Sequence, residues 1–431
     1  MHVSVVGSGY VGTTLSVCLA ELGHDVVAID VDEETVTQLN DGEAPIHEPG
    51  LDALLETHVG SRLRATTEHA AVVDTDVTFL AVGTPSNEDG SIDANGLVAA
   101  ARDVGGAIEG KDDDHLVVVK STVLPDVIDE RIVPAIEDAS GASDGEGFTL
   151  AINPEFLREG TAIDDFMAPD RIVIGTDDDG TAAERLTELY EPLTAERATP
   201  IVETGRREAS MIKYASNAFL ASKVSLINDI GNVCKEFGVD AYEVAEAMGM
   251  DERIGSAFLR SGVGWGGSCF PKDTAALIQS ARTTGYDPAM IEAAVEINDR
   301  QPERLLEFLD GHVDVTGERV AVLGLAFKPG TDDIRGTRAV PVIEGLLERG
   351  ADVVAYDPLA NDAMAELFPD VDYVDTPEAA LEGAVGACVV TDWPEFAELD
   401  AAFDAMATPV VVDGRRIVSR RDGIVYEGLT W

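Results

Sequence analysis

Positive charge is what this chain has least of. Its 431 residues include 30 lysines and arginines against 81 aspartates and glutamates, a formal net charge of −51. That balance excludes nucleic acid and anionic membrane surfaces as partners, because both would be repelled. Cysteine is scarce as well. The four present (Cys18, Cys234, Cys269, Cys388) are scattered without CxxC spacing, which argues against a disulfide framework or a metal site and fits a reducing cytoplasm. No uninterrupted apolar run approaches the roughly 20 residues of a membrane-spanning helix. The opening stretch MHVSVVGSGYVG has neither a basic leader nor a small-residue cleavage site, so no signal peptide is expected.

The acidic excess is spread along the whole chain and forms no tail, which reads as a solvated surface. In dilute buffer the self-repulsion of such a surface weakens the compact state. At about 1 M salt the Debye length falls to roughly 3 Å and the penalty largely disappears. The composition therefore implies a high-salt cytoplasm. Lysine is thinned to seven positions: Lys111, Lys120, Lys213, Lys223, Lys235, Lys272 and Lys328. Any of these in an apolar or glycine-rich setting is a candidate for chemistry.

What the chain does have is a supply of short β-branched runs separated by helical patterns. VSVV (3–6) precedes the amphipathic TTLSVCLAEL, Gly23 as a helix stop, and DVVAID (25–30); VTFLAV (77–82), LVVVK (116–120) and LAIN, ending at Asn153, continue the series. Strands alternating with helices imply a parallel sheet with crossovers, an α/β doubly wound domain. Between about 205 and 305 no convincing strand occurs, and the segment starting REASMIKYASNAF keeps helical periodicity for about nine turns. From about 318 the first pattern restarts: RVAVLGLAFKPG resembles HVSVVGSGYVG, and ERGADVVAYDP resembles ELGHDVVAID. The expected layout is two nucleotide-type α/β domains joined by a helical spine, with boundaries at 1–204, 205–305 and 306–431. A ligand site between such domains is the natural expectation.

Gly7-Ser8-Gly9-Tyr10-Val11-Gly12 is a GxGxxG that follows a strand and opens a helix, and Asp30 closes the next strand about 20 residues on. This is the Rossmann dinucleotide fingerprint. Gly7 permits the turn, Gly9 lets the backbone approach a pyrophosphate, and Gly12 packs helix on strand. Asp30 can accept hydrogen bonds from ribose hydroxyls and would repel a 2′-phosphate, which favours NAD over NADP. Val82-Gly83-Thr84-Pro85 and Lys120-Ser121-Thr122-Val123 lie just past the carboxyl ends of strands, on the rim that faces the cofactor in such a sheet. Asn153-Pro154-Glu155-Phe156-Leu157-Arg158-Glu159-Gly160 places two carboxylates four residues apart, although a capped helix start with exposed acids reads the same way. Lys213 and Asn217 share one face of the long helix, where a lysine merely snorkelling to solvent is the plain alternative.

The segment GVGWGGSCFPKD (262–273) sets Cys269 among glycines at 262, 264, 266 and 267, with Lys272 and Asp273 just beyond. A free thiol is only a few per cent thiolate at pH 7, and nearby cations or a helix N-terminus raise that fraction. The glycines are expected to leave room for a bulky ligand. These are the parts for covalent attack on a carbonyl.

Taken together these motifs, with GLAFKPGTDDIR at 324–335, resemble the UDP-glucose dehydrogenase branch of the nucleotide-sugar dehydrogenase family, halophilic archaeal members included, over essentially the whole chain. The resemblance implies a cytoplasmic homodimer, paired through the central helix, that oxidises the C6 alcohol of UDP-glucose to a carboxylate with two NAD⁺ per sugar. It implies that Lys213, Asp273 and a water handle the alcohol proton. Cys269 forms a thiohemiacetal and then a thioester, Glu155 and Thr122 serve its hydrolysis, and Lys213 with Asn217 steadies the oxyanion. Gly7, Gly9, Tyr10, Val11, Gly12, Asp30, Thr84, Thr122, Glu159, Lys272 and Arg335 match cofactor positions. Glu155, Phe156, Leu157, Lys213, Asn217, Phe258, Leu259, Gly266, Lys328 and Arg415 match the nucleotide-sugar site, and Arg253 matches an arginine reaching the neighbouring subunit. Phe156 and Ser268 favour UDP-glucose over 2-acetamido sugars, with GDP-mannose or another nucleotide sugar as the alternative substrate. The stretch Asp30-Val31-Asp32-Glu33-Glu34-Thr35 departs from relatives that carry a basic residue there. A single-step hydroxyacid-type dehydrogenase or a silent NAD-sensing scaffold would have no use for Cys269.

Dialysis from molar KCl into dilute buffer is expected to unfold or inactivate the protein, followed by far-UV circular dichroism and activity. Full retention of both in low salt would refute the high-salt reading.

Overall fold

Short runs rich in valine, isoleucine and leucine form most of the strands of a computed structural model that describes residues 1–431, apart from the side chain of Glu196. The chain divides into two compact units, Met1–Ala215 and Ser216–Trp431. The first holds β1 (His2–Val6), β2 (Asp25–Ile29), β3 (Leu63–Thr66), β4 (Val77–Leu80), β5 (His115–Val119), β6 (Ser143–Asp144), β7 (Gly147–Ile152), β8 (Ile172–Gly175) and β9 (Ile201–Thr204). They order as β3-β2-β1-β4-β5-β7-β8-β9, with β6 beside β7. Every pairing is parallel except β7 with β8.

Register decides where the loops fall. Val6 pairs with Ile29 and with Leu80, and Val119 pairs with Leu80 and with Ile152. Gly7, Asp30, Ala81, Lys120 and Asn153 therefore leave the sheet side by side at its carboxyl edge. The strand order reverses between β1 and β4, the crevice where open α/β sheets bind ligands. Alternate residues feed two buried clusters, Val3, Val5, Phe79 and Val118 on one face and Val6, Ile29, Leu80 and Val119 on the other. A parallel sheet covered on both faces has to be apolar on both.

One polar thread runs inside that sheet. Ser4 Oγ lies 2.6 Å from Thr78 Oγ1, which lies 2.7 Å from Nε2 of the fully buried His115; His115 Nδ1 faces Lys111 Nζ at 2.9 Å. The lysine donates to Nδ1, which leaves Nε2–H to donate to Thr78, so the imidazole is neutral.

In the second unit no strand occurs before residue 319, as the sequence pattern implies. The spine helix (Arg206–Glu236) runs 31 residues, about 46 Å at 1.5 Å per residue, and the unit boundary falls within it. Its buried face in this unit carries Ala218, Ala221, Ser225 and Asn228. Ser225 accepts from Trp265 Nε1 at 2.9 Å and donates to the Ala294 carbonyl at 2.6 Å. Phe219, Leu226 and Val233, seven residues apart, stand 70, 54 and 53 % exposed.

The chain then builds β10 (Arg319–Leu323), β11 (Asp352–Tyr356), β12 (Asp372–Tyr373), β13 (Gly386–Val389), β14 (Val410–Asp413) and β15 (Val425–Gly428). Their order, β12-β11-β10-β13-β14-β15, is wholly parallel and is the doubly wound order of a dinucleotide-binding sheet. The fold is α/β, with parallel sheets in two domains and a long central helix.

Burial pushes the His115 imidazole down to about 3; Lys111 and Arg185 act in the same direction, and Asp76 opposes them. The unfolded imidazole takes its proton near pH 6.5. Between these values the unfolded chain binds the extra proton, so His115 costs stability as the pH falls. Urea midpoints at pH 7 and pH 5, in constant molar KCl, are expected to drop more for wild type than for His115→Gln. Equal drops would overturn this.

Candidate active site

The fingerprint corner is built by close approach. A Cβ on Gly12 would sit 1.8 Å from the Gly7 carbonyl oxygen, and Gly7 itself has φ of +95°. Gly9, at the start of the helix Tyr10–Glu21, faces open space and caps the helix with no side-chain hydrogen bond. The Ser8 amide donates to Asp30 at 2.5 Å, and the buried Ser8 Oγ has no partner. Open backbone at a helix N-terminus, an unpartnered buried hydroxyl and a carboxylate at the end of β2 fit a dinucleotide, with its pyrophosphate over Gly9 and its ribose at Asp30. In the acidic stretch that follows, Asp32 caps the next helix through the amides of Glu34 and Thr35.

Sequence reading missed Glu48. Its buried carboxylate accepts the Tyr10 hydroxyl and the amides of Gly160 and Ala162, both at 2.7 Å, and so ties the fingerprint helix to the end of the Asn153–Gly160 segment. The only signal was His-Glu-Pro-Gly ahead of a short helix, which reads as a turn. Arg158 is held by Asp165, with Nε at 3.0 Å, and Glu159 is half-buried.

Along the carboxyl edge, Thr84 Oγ1 donates to the Thr122 carbonyl at 3.0 Å. Asn153 Oδ1 takes Lys120 Nζ at 2.8 Å and the Tyr190 hydroxyl at 2.6 Å, while its Nδ2 donates to the Val173 carbonyl. Glu155 and Lys213 are buried and form an ion pair at 2.7 Å; the second Glu155 oxygen takes the Leu157 amide at 2.6 Å. Burial pushes the Glu155 carboxyl up, but the Lys213 ammonium and the Leu157 amide outweigh it and hold it below the usual range. Lys213 is thus no snorkelling lysine, and Glu155 is no exposed acid. The Phe156 ring lies between Arg171, 4.0 Å from its centroid, and Lys213 at 5.5 Å; Leu157 packs on the core.

In the second unit, Cys269 stands where the loop meets the helix Phe270–Thr283, with its sulfur 3.6 Å from Ser268 Oγ. A helix start favours an anion. One turn on, Asp273 is 1 % exposed; Asn217 Nδ2 donates to one carboxylate oxygen at 2.5 Å and Lys272 Nζ to the other at 2.6 Å. The remaining cysteines differ. Cys18 and Cys388 are buried, which pushes both thiols up to about 12, and Cys234 lies on the spine helix.

The glycines of this loop correct an expectation. A Cβ on Gly262 would meet the Gly414 carbonyl at 2.4 Å, on Gly264 the Asn298 amide oxygen at 2.5 Å, on Gly266 the Gly336 carbonyl at 2.3 Å, and on Gly267 the Phe327 ring at 2.8 Å. They admit the unit's own chain and do not keep space for a ligand. Arg415 reaches the same loop, donating to the Gly264 carbonyl at 3.0 Å and the Val390 carbonyl at 2.7 Å. The Arg335 carbonyl accepts the Gly267 amide, its guanidinium pairs with Asp333, and Lys328 lies over the Phe327 ring. Leu259 is buried with Ile227 and Ala245, beside Phe258 at a φ of +62°. Arg253 is exposed, its guanidinium on Asp251.

The second glycine turn looks like the first in sequence and is filled differently. Asp357, at the end of β11, accepts the amides of Leu325, Ala326, Leu359 and Ala360 and the Trp393 indole N–H, all at 2.7–3.0 Å. The protein's own carboxylate thus satisfies the first amides of this turn, as Asp30 satisfies that of Ser8.

A doubly wound sheet with an open fingerprint, a carboxylate at the end of its second strand and a buried lysine–glutamate pair beside its carboxyl edge fits the NAD-dependent oxidoreductases of the α/β class. Models of a single family match the chain in three successive stretches: the NAD-binding domain of the UDP-glucose/GDP-mannose dehydrogenase family at 1–194, its central domain at 207–300 and its UDP-binding domain at 321–420. The chain belongs to that family, and its cofactor is NAD. It is 59% identical to the UDP-glucose 6-dehydrogenase AglM of Haloferax volcanii across the full length of both. Among solved structures it is similar to a UDP-glucose dehydrogenase from Pyrobaculum islandicum, with a TM-score of 0.92 and 43% identity over 100% of this chain and 98% of that one. It also matches a GDP-mannose dehydrogenase from Pseudomonas aeruginosa, with a TM-score of 0.57 and 33% identity over the whole of both chains. No helix among the described residues is long and apolar enough to cross a membrane.

Proposed function

We propose that this protein is a UDP-glucose 6-dehydrogenase, which oxidises the sugar C6 alcohol to a carboxylate through a covalent intermediate on Cys269. The observation that carries the reading is the buried Asp273, held by the buried Asn217 and the partly exposed Lys272, one helical turn from that thiol. NAD supplies the hydride acceptor for both oxidations, two molecules per sugar. Lys213 and Asp273, through a water, take the alcohol proton as the aldehyde forms. The Cys269 sulfur then adds to C6, its proton is released, and the oxygen is protonated to give a thiohemiacetal. A free aldehyde could diffuse away; this adduct cannot. Oxidation of the adduct leaves a thioester. Water activated near Glu155 and Thr122 attacks it, the C–S bond breaks, the thiol takes up a proton, and the carboxylate leaves. Lys213 and Asn217 donate to the developing oxyanion, where such preorganised donors contribute about 3–4 kcal/mol each.

Gly7 to Gly12, Asp30, Thr84, Thr122, Glu159, Lys272 and Arg335 serve the cofactor. Phe156, Leu157, Phe258, Leu259, Lys328 and Arg415 serve the nucleotide sugar. Residues 1–204, 205–305 and 306–431 act as NAD-binding, central helical and nucleotide-sugar domains. UDP-glucose is favoured over GDP-mannose because the relative matching at 59% carries the former name and the structure matching at 33% the latter. A cytoplasm of high salt fits the −51 charge. The exposed stripe Phe219, Leu226 and Val233 has the seven-residue repeat of a helix seam and fits the same helix of a second copy, with Arg253 given to the partner's site.

With UDP-glucose in molar KCl, two NADH per uronate are expected, and Cys269→Ser is expected to lower carboxylate formation at least about 10³-fold. One NADH per sugar, or GDP-mannose turning over while UDP-glucose is inert, would overturn the reading. Sedimentation should give a dimer that Leu226→Glu splits; a wild-type monomer would refute the seam.

A further inference from the structure

One cluster of buried charges in the first unit does not balance by itself. Lys120, Glu155 and Lys213 are 6, 7 and 4 % exposed, and with both amines protonated they leave one positive charge in excess. Both oxygens of Glu155 are engaged, one by Lys213 and the other by the Leu157 amide. Lys120 is left with a neutral acceptor, Asn153 Oδ1, which it shares with the Tyr190 hydroxyl. The sheet fixes this arrangement. Lys120 and Asn153 each follow the last residue of adjacent parallel strands, β5 and β7, which pair as Val119 with Ile152. A buried ammonium on an amide oxygen is the group that yields its proton to remove the excess charge.

We propose that Lys120 is a positioning residue, which by holding or releasing its own proton sets the charge beside the Glu155–Lys213 pair and so governs how readily Lys213 accepts the alcohol proton. This rests on the roles given above to Lys213 and Glu155. Burial draws the Lys120 ammonium down to about 8; Glu155 opposes and Lys213 adds to the effect. Those two are the charged groups facing it, and Tyr190, pushed up by burial, stays a neutral donor. When Lys120 carries its proton, the second cation disfavours a proton on Lys213. When Lys120 is neutral, the pair balances itself. The two amines titrate together, so the behaviour belongs to the cluster.

Lys120→Met keeps the length and removes the charge, while Lys120→Arg fixes it. The acid limb of the kcat–pH profile is expected to move up by about one unit in Lys120→Met and to stay at the wild-type position or below it in Lys120→Arg. Equal losses of kcat in both variants with the limb unmoved would show a merely structural lysine and overturn the proposal. A second arm needs no substrate. The unfolded amine titrates near 10.4, so between about pH 8 and 10 the unfolded chain binds more protons and Lys120 makes stability rise with pH. Urea midpoints should show that rise in wild type relative to Lys120→Met; parallel curves would overturn the proposal. Should UDP-glucose not be oxidised at all, the assigned reaction fails, and this stability arm still reads Lys120.

Discussion

Burying Glu155 and Lys213 together is the constraint on which the chemistry of the first unit depends. Either group alone, with so little access to water, would be driven to its neutral form. At 2.7 Å Lys213 holds the Glu155 carboxylate in its charged form, and the Leu157 amide fills the remaining oxygen. The sheet makes this possible, because Asn153 and the residues after it leave β7 in register with Lys120 after β5. The second unit solves the same problem with an amide and an amine: Asn217 and Lys272 each take one oxygen of Asp273. Each of the two carboxylates is thereby held by two donors.

Scarcity of cations sharpens the picture. A surface of so many carboxylates would ordinarily carry lysines among them, yet the seven that remain are engaged. Lys111 meets His115, Lys120 Asn153, Lys213 Glu155, Lys223 the Ile254 carbonyl, Lys235 the Gly428 and Trp431 carbonyls, Lys272 Asp273, and Lys328 lies over the Phe327 ring. The arginines that pair at the surface, such as Arg253 with Asp251, are worth little in molar salt. Each lysine here is held by a carbonyl, a carboxylate, an imidazole or an aromatic ring.

The two glycine turns show how one local pattern serves two ends. Gly9 opens onto empty space beside the unpartnered Ser8 hydroxyl. Its counterpart after β10 is closed by Asp357, which satisfies four amides and an indole. The glycines around Cys269 likewise admit the chain's own carbonyls and the Phe327 ring at 2.3–2.8 Å. That loop is therefore a packed element, which holds the thiol at a helix start.

Sequence alone determined the elements and the cofactor they are built to hold. Short continuous β-branched runs, the 31-residue helical pattern, the fingerprint with Asp30 and the repeated strand-glycine-helix units are local, and short-range sterics and hydrophobic periodicity make them legible. Sequence could also single out Lys213 and Cys269 as candidates, because lysine and cysteine are rare enough here to stand out. Only the tertiary structure decided which charges meet. Glu48 reaches Gly160 across 112 positions, Lys213 reaches Glu155 across 58, and Asp357 fills a turn 32 residues away. The loss of water around each such group depends on distant strands packing over it. No local pattern carries that information, since burial belongs to the whole sheet.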